Sequence, residues 1–213
     1  YNIIWKIRLP RILMAALLGG ALSLSGFLLQ TFFSNPIAGP FVLGISSGAK
    51  MAVAMTMIVF LKYIGTFSSY TLVMAAFIGA LISTGFILLM SKKIHHMASL
   101  LVGGIMIGYI CSAITDFVVT FADDSDIVNL HGWSQGSFSG TSWSNIQVAA
   151  VIVGITVIFT FFLSKPIGAY QLGEGYAQSM GVNIRLFRVA LILLSSILSA
   201  CVTAFAGPIS FVG

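Results

Sequence analysis

Residues 100–121 read LLVGGIMIGYICSAITDFVVTF, a run with one charged side chain, Asp116, and no strict alternation of polar and apolar positions. A stretch of about 20 apolar residues matches the hydrocarbon thickness of a bilayer. Lipid offers the backbone no water, so an unalternating segment of this length satisfies its amides internally, as a helix rather than a barrel strand. Five similar runs flank it, at 12–33, 41–61, 68–90, 146–163 and 189–212. The chain therefore reads as all-α, a polytopic helical bundle of about six spans forming a single membrane domain over 1–213. Composition agrees: 58% of residues are hydrophobic and 7% charged, against about 25% charged in a soluble domain. Mean hydropathy is +1.06.

The formal net charge is +5. In so apolar a chain the basic residues flank spans and meet lipid headgroups, so membrane lipid is the expected partner and nucleic acid is not. One side of the membrane receives Lys6, Arg8, Arg11 and Lys62; the other receives Lys92, Lys93, Lys165, Arg185 and Arg188. The second side, with the short SKKIHH loop, is read as cytoplasmic. The opposite side carries the loop 122–145, whose spacing predicts a short interfacial helix followed by turns. Cys111 and Cys201 fall inside spans and read as small apolar residues.

Within the opening run Gly104, Gly108, Ser112, Asp116 and Thr120 recur every fourth residue and share a slowly drifting helix face. Two readings stand: close helix packing through small residues, or a polar stripe along a water-filled route, which Asp116 favours. Ala15, Ala16, Gly19, Gly20 and Ser23 in the first run are read as interior helix packing.

Residues 35–40, NPIAGP, break the helix between the first two runs. Gly44-Ile45-Ser46-Ser47-Gly48 has the G-x-S-x-G form of a nucleophile elbow, but that motif requires a strand–turn–helix context and triad partners. Glycine and serine here are read as allowing tight packing or a partly unwound start to the second span. Lys50 either snorkels to the cytoplasmic interface or faces substrate. His95 and His96 are adjacent, with no carboxylate or cysteine set at ligand spacing, so no metal site and no cofactor is expected. No Walker-type phosphate loop occurs.

The segment 165–188, KPIGAYQLGEGYAQSMGVNIRLFR, is polar between two long apolar runs. Its pattern predicts short helices joined by glycines, an ordered insert shaped for docking.

Four blocks stand in order: Arg8-Leu9-Pro10-Arg11; residues 35–40 with Leu43-Gly44-Ile45-Ser46-Ser47-Gly48-Ala49; Leu172-Gly173-Glu174 with Ala177 and Gly181-Val182; and the ending 206–213, AGPISFVG. Together they resemble the permease subunit of the iron–siderophore, haem and vitamin B12 class of ABC importers, the FecCD-type family, along essentially the whole chain. The resemblance implies a type II importer permease of about ten spans, so further spans are expected beyond both ends of this chain. It implies that 165–188 is the cytoplasmic coupling loop, with Gly173, Glu174, Ala177, Gly181 and Arg185 contacting the ATPase. It turns the 100–121 run into the helix lining the translocation pathway, with Gly104, Gly108, Ser112 and Asp116 along it. His96, Met97 and Ala98 fall at the family's cytoplasmic gate.

The implied partners are a cytoplasmic ABC ATPase dimer, an extracytoplasmic substrate-binding protein and a second permease subunit, identical or paralogous. The protein itself is expected to be non-enzymatic and multi-pass in the bacterial inner membrane, importing a ferric siderophore, or haem or cobalamin. The main rival is an ion-coupled secondary transporter using Asp116, with an intramembrane serine hydrolase at Ser46 more distant.

Overall fold

The computed structural model describes residues 3–60, 69–91, 93, 94 and 96–209. Lys62, Lys92, His95 and the closing 210–213 therefore lie outside the described residues. A π-helical turn, Ile4–Arg8, leads into α1 (Leu9–Phe33), with Pro10 in the first turn where its missing N–H costs nothing. The remaining helices are α2 (Ile45–Met55), α3 (Ser69–Ser91), α4 (Met97–Val119), α5 (Asp124–Ser134), α6 (Trp143–Phe162), α7 (Ser164–Gln171), α8 (Glu174–Ser179) and α9 (Ile184–Ala206). No strand occurs among the described residues.

Among those residues, five helices are long and apolar enough to cross a membrane: α1 with its leading turn, α3, α4, α6 and α9. Within the described residues the run at 41–61 gives a shorter helix. It gives α2 continued by a π-helical turn, an apolar helix over Ile45–Val59, about 22 Å at 1.5 Å per residue. The cause is local. The Asn35 side chain accepts from the Ile37 amide at 3.0 Å and its carbonyl from the Ala38 amide at 3.2 Å, closing a tight turn. A 3-10 turn, Pro40–Leu43, follows, and Gly44 at φ +65° delays the helix to Ile45. The partly unwound start read from the sequence is what the chain adopts.

That delay serves packing. A Cβ on Gly44 would stand 2.9 Å from the Gly108 amide nitrogen and 3.1 Å from the Gly104 carbonyl oxygen, so α2 and α4 meet backbone to backbone there. One turn on, a Cβ on Gly48 would stand 2.8 Å from the Gly79 carbonyl of α3. Small residues give lipid-embedded helices this approach. The elbow-like motif thus follows a 3-10 turn, not a strand, and its two glycines are helix contacts.

The centre of the described bundle is α9, packed on α1, α3 and α6. Its Leu191, Ile192, Leu198, Ala200, Cys201 and Val202 are fully buried. Across the α1–α9 contact, the Ser25 hydroxyl lies 2.8 Å from those of Ser195 and Ser199, and Ser195 Oγ donates to the Ser25 carbonyl at 3.1 Å. Elsewhere Thr84, Thr115, Thr156 and Thr160 each donate to the carbonyl four residues back, which satisfies a hydroxyl where no water reaches it.

The interior face of α1 is not the one read from its small residues. Met14, Leu18, Ala21, Leu22, Ser25, Leu28 and Leu29 are buried, whereas Ala15, Ala16, Gly19, Gly20 and Ser23 are exposed, with no atom within 4 Å of a Cβ built on either glycine. Burying the larger side chains against α9 gains more contact area than burying a glycine stripe, and Ser25 fixes the rotation.

Near the starts of α1, α3 and α6, Trp143 Nε1 donates to the Trp5 carbonyl at 3.0 Å and Tyr70 lies 3.1 Å from Ser144. The interfacial helix expected in 122–145 is α5. The turn after it is bonded to the end of α9, Ser137 N to the Ala206 carbonyl at 2.8 Å. Cys111 and Cys201 are buried free thiols, as their span positions implied.

Candidate functional site

The segment 165–188 is two short helices and the start of a long one. Gly173 between α7 and α8 adopts φ +126°, and Gly181 between α8 and α9 adopts φ +87°. Neither has an atom within 4 Å of a would-be Cβ, so both positions require glycine for backbone conformation alone. The two glycines isolate α8, a six-residue helix. The insert ends earlier than its polarity suggested. Asn183 caps α9, its side chain accepting from the Leu186 amide at 3.3 Å. Arg185 and Arg188 therefore belong to the first turns of α9 rather than to a loop.

α8 is seated by Ala177, which is fully buried, next to Ile167 and Tyr170 of α7 in the continuous core. Its first residue, Glu174, accepts from Arg188 Nη2 at 2.7 Å. The other edge of the guanidinium, Nε, donates to the Tyr170 hydroxyl at 3.4 Å, and the Tyr170 ring packs on Phe187 with centroids 5.2 Å apart. The sequence resemblance placed Glu174 against the ATPase; within the chain its partner is Arg188.

These residues edge a cleft of about 610 Å³. Its walls bring together Glu174 and Gln178 of α8, Arg185 and Arg188 of α9, Ile94 and Met97 at the start of α4, and Phe32 at the end of α1. Of the three residues read as a gate, Met97 lines the cleft, whereas His96 and Ala98 are exposed beside it, His96 as the extended residue preceding α4. Arg185 is exposed at the cleft edge.

The every-fourth-residue stripe of α4 divides. Gly104 and Gly108 meet Gly44, as above, while Ser112, Asp116 and Thr120 are exposed. Four residues advance a helix by about 40° past a full turn, so the stripe rotates away from the buried line Leu100, Gly103, Gly104, Cys111 and Thr115. Packing and polar stripe are thus successive parts of one face. Lys50 is half-buried on α2, within two turns of its start.

Sequence reading passed over Tyr170, Gln178 and Phe32 as site residues and missed the Ser25–Ser195–Ser199 cluster. The serines did carry a signal: Ser195 and Ser199, hydroxyls four residues apart on one face of an apolar span, suit a facing helix as hydrogen-bond partner.

Residues 1–213 match the FecCD transport family. The chain is 36% identical over 212 residues to the hemin transport system permease protein HmuU of Yersinia pestis, covering 99% of this chain and 64% of that protein. It is 33% identical over 210 residues to the vitamin B12 import system permease protein BtuC of Klebsiella pneumoniae, covering 99% of this chain and 62% of that protein. It thus spans just under two thirds of these relatives. A solved structure described as an inward-facing metal-chelate type ABC transporter superposes with a TM-score of 0.86 at 27% identity, over 98% of this chain and 67% of that one. The helical architecture is therefore that of an ABC transporter permease, in a multi-pass protein of the inner membrane. The chain belongs to the FecCD transport family.

Proposed function

We propose that this chain is the membrane-spanning part of an ATP-driven importer that carries a metal chelate into the cell. An iron–siderophore is the first candidate cargo, with haem and cobalamin next. The permease makes and breaks no covalent bond; ATP is hydrolysed in a separate cytoplasmic ATPase dimer. A substrate-binding protein delivers cargo at the opposite face, where α5 and its following turns lie, and a second permease subunit completes the path.

The observation that carries this reading is the shared cleft. It joins α8, bracketed by Gly173 and Gly181, to Met97 at the foot of α4. A displacement of α8 by the ATPase would reach the base of α4 without crossing the bundle. In this reading Gly173, Glu174, Ala177, Gly181 and Arg185 serve coupling, Met97 with its neighbours His96 and Ala98 forms the cytoplasmic gate, and α4 lines the route. Gly104 and Gly108 hold α4 against α2, leaving Ser112 and Asp116 facing outward towards the second subunit. The relatives support the cargo class through their names alone: haemin for one, vitamin B12 for another, a metal chelate for the solved transporter.

The test is reconstitution of the full permease with its ATPase and binding protein in liposomes, with uptake of ferric siderophore, haemin and cobalamin measured side by side. Uptake of one of them that requires ATP and survives collapse of the proton gradient is expected. Uptake that persists without the ATPase and vanishes with the gradient would establish the ion-coupled rival instead.

A further inference from the structure

A helix of six residues between two glycines cannot transmit force along its own backbone. Helical continuity is lost at both ends of α8, at φ +126° and φ +87°, and so short a helix has little stiffness of its own. Whatever moves α8 must act on α9 through contacts between them. These are few: Ala177 is seated beside α7, the Val182 amide bonded back to the Ala177 carbonyl at 3.1 Å precedes α9, and the Glu174–Arg188 pair at 2.7 Å reaches α9 itself. The first two lie close to the hinge. The ion pair joins the far end of α8 to the second turn of α9.

We infer that the Glu174–Arg188 pair is the strut by which displacement of α8 is passed to α9, with Arg188 a positioning residue held in orientation by the Tyr170 hydroxyl. The inference rests on the coupling role proposed for 173–181. Geometry supports the assignment in three ways. Arg188 uses two edges of one planar guanidinium, Nη2 on Glu174 and Nε on Tyr170, so its orientation is fixed by α7 and α8 together. Its side chain is 26% exposed and that of Glu174 50%, so the pair adds little to the stability of the fold. A contact that contributes little to stability, yet bridges an otherwise hinged element to the most buried helix, is placed to set the position of α8. The acid also sits at the N-terminus of α8, where the helix dipole favours it.

The test uses the assembled complex of full permease, ATPase and binding protein in liposomes, reading cargo transported per ATP hydrolysed. Arg188→Met and Glu174→Gln are each expected to lower that ratio by about fivefold or more, the lower range of a coupling between distant sites. The exchanged pair, Glu174→Arg with Arg188→Glu, is expected to recover most of it. A merely structural role would lower assembly or thermal stability in the single variants, whereas the strut lowers the transport ratio of complexes that assemble normally. Parental ratios in both single variants, or an exchanged pair as uncoupled as the singles, would overturn the strut. If Arg188→Met fails to assemble, Glu174→Gln carries the test, since it preserves shape at an exposed position. Ala177→Trp, which unseats α8 altogether, separates the two levels. If it uncouples while the ion-pair variants do not, the strut alone fails; if it too transports normally, the coupling reading fails.

Discussion

The hydroxyls of Ser25 on α1 and Ser199 on α9 lie 2.8 Å apart, both fully buried, in the middle of two helices that otherwise touch through leucine, isoleucine and alanine. Removing the Ser25 hydroxyl leaves Ser199 Oγ without its interhelical partner, whereas Ser195 Oγ keeps the Ser25 carbonyl. Ser25→Ala is expected to destabilise the bundle by about 1–2 kcal/mol, at the upper range for interhelical hydrogen bonds in membranes. Thermal denaturation of the detergent-solubilised permease, compared with Ser23→Ala on the exposed side of the same helix, measures it. Equal midpoints for the two variants would remove the cluster from the stabilising contacts.

The α2–α4 crossing predicts an asymmetry between its glycines. Gly44→Ala meets the Gly108 amide at 2.9 Å and must hold φ +65°; a left-handed backbone costs about 1–2 kcal/mol for an L residue before any overpacking is added. Gly108→Ala places its Cβ 3.6 Å from Gly44 Cα and from Ser47 Oγ, an ordinary contact. The first variant is expected to lose folded protein on heating well before the second, which should denature close to the parent.

Gly173→Ala and Gly181→Ala meet no neighbour, so their cost is backbone strain alone, about 1–3 kcal/mol each. That strain is confined to the ends of α8. The expected outcome is a complex that assembles and denatures near the parental temperature but shows weakened stimulation of ATPase activity by loaded binding protein. Stimulation unchanged in both variants would detach α8 from coupling.

Asp116 is exposed near the C-terminal end of α4. If transport is driven by ATP, Asp116→Asn should leave the dependence of uptake on external pH unaltered. Loss of that dependence together with loss of uptake would revive ion coupling.

Orientation is checked by cysteine labelling in a background with Cys111 and Cys201 replaced. Gln178→Cys on α8 should react with a membrane-impermeant maleimide only in inside-out vesicles, and Gln135→Cys after α5 only in right-side-out ones. Both positions are exposed, so a reversed pattern would invert the topology.

How far the sequence could be read varied with the physics of each element. The long spans were legible because the bilayer imposes length and apolarity on each segment independently of its neighbours, as in 100–121. The glycine-jointed insert was legible because Gly173 and Gly181 are demanded by local conformation. What depends on a facing helix was not. The exposed side of α1 was misassigned because Ala15, Gly19 and Ser23 have the spacing of a contact face, yet Leu18, Leu22 and Ser25 make the contact. The start of α9 was placed four residues or more too late, because Arg185 and Arg188 look like loop residues until Asn183 is seen to cap the helix. The pairing of Glu174 with Arg188 follows from the fold between them, which spacing alone does not encode.

The clasp at the far end of α9 gives that helix a fulcrum. The Ala206 carbonyl is bonded to Ser137 N, and a Cβ on Gly207 would stand 2.8 Å from Gly136 Cα, so the C-terminal tip of α9 is pinned against the turn after α5. Arg188 lies about 27 Å away along the axis at 1.5 Å per residue. A push of about 2 Å there, the size of shift seen at helix interfaces in allosteric proteins, becomes a tilt of about 4° and hardly any translation. The loop on which the pin is set would twist in place while the cytoplasmic end swings. One lever would then open the base of the path without loosening its mouth.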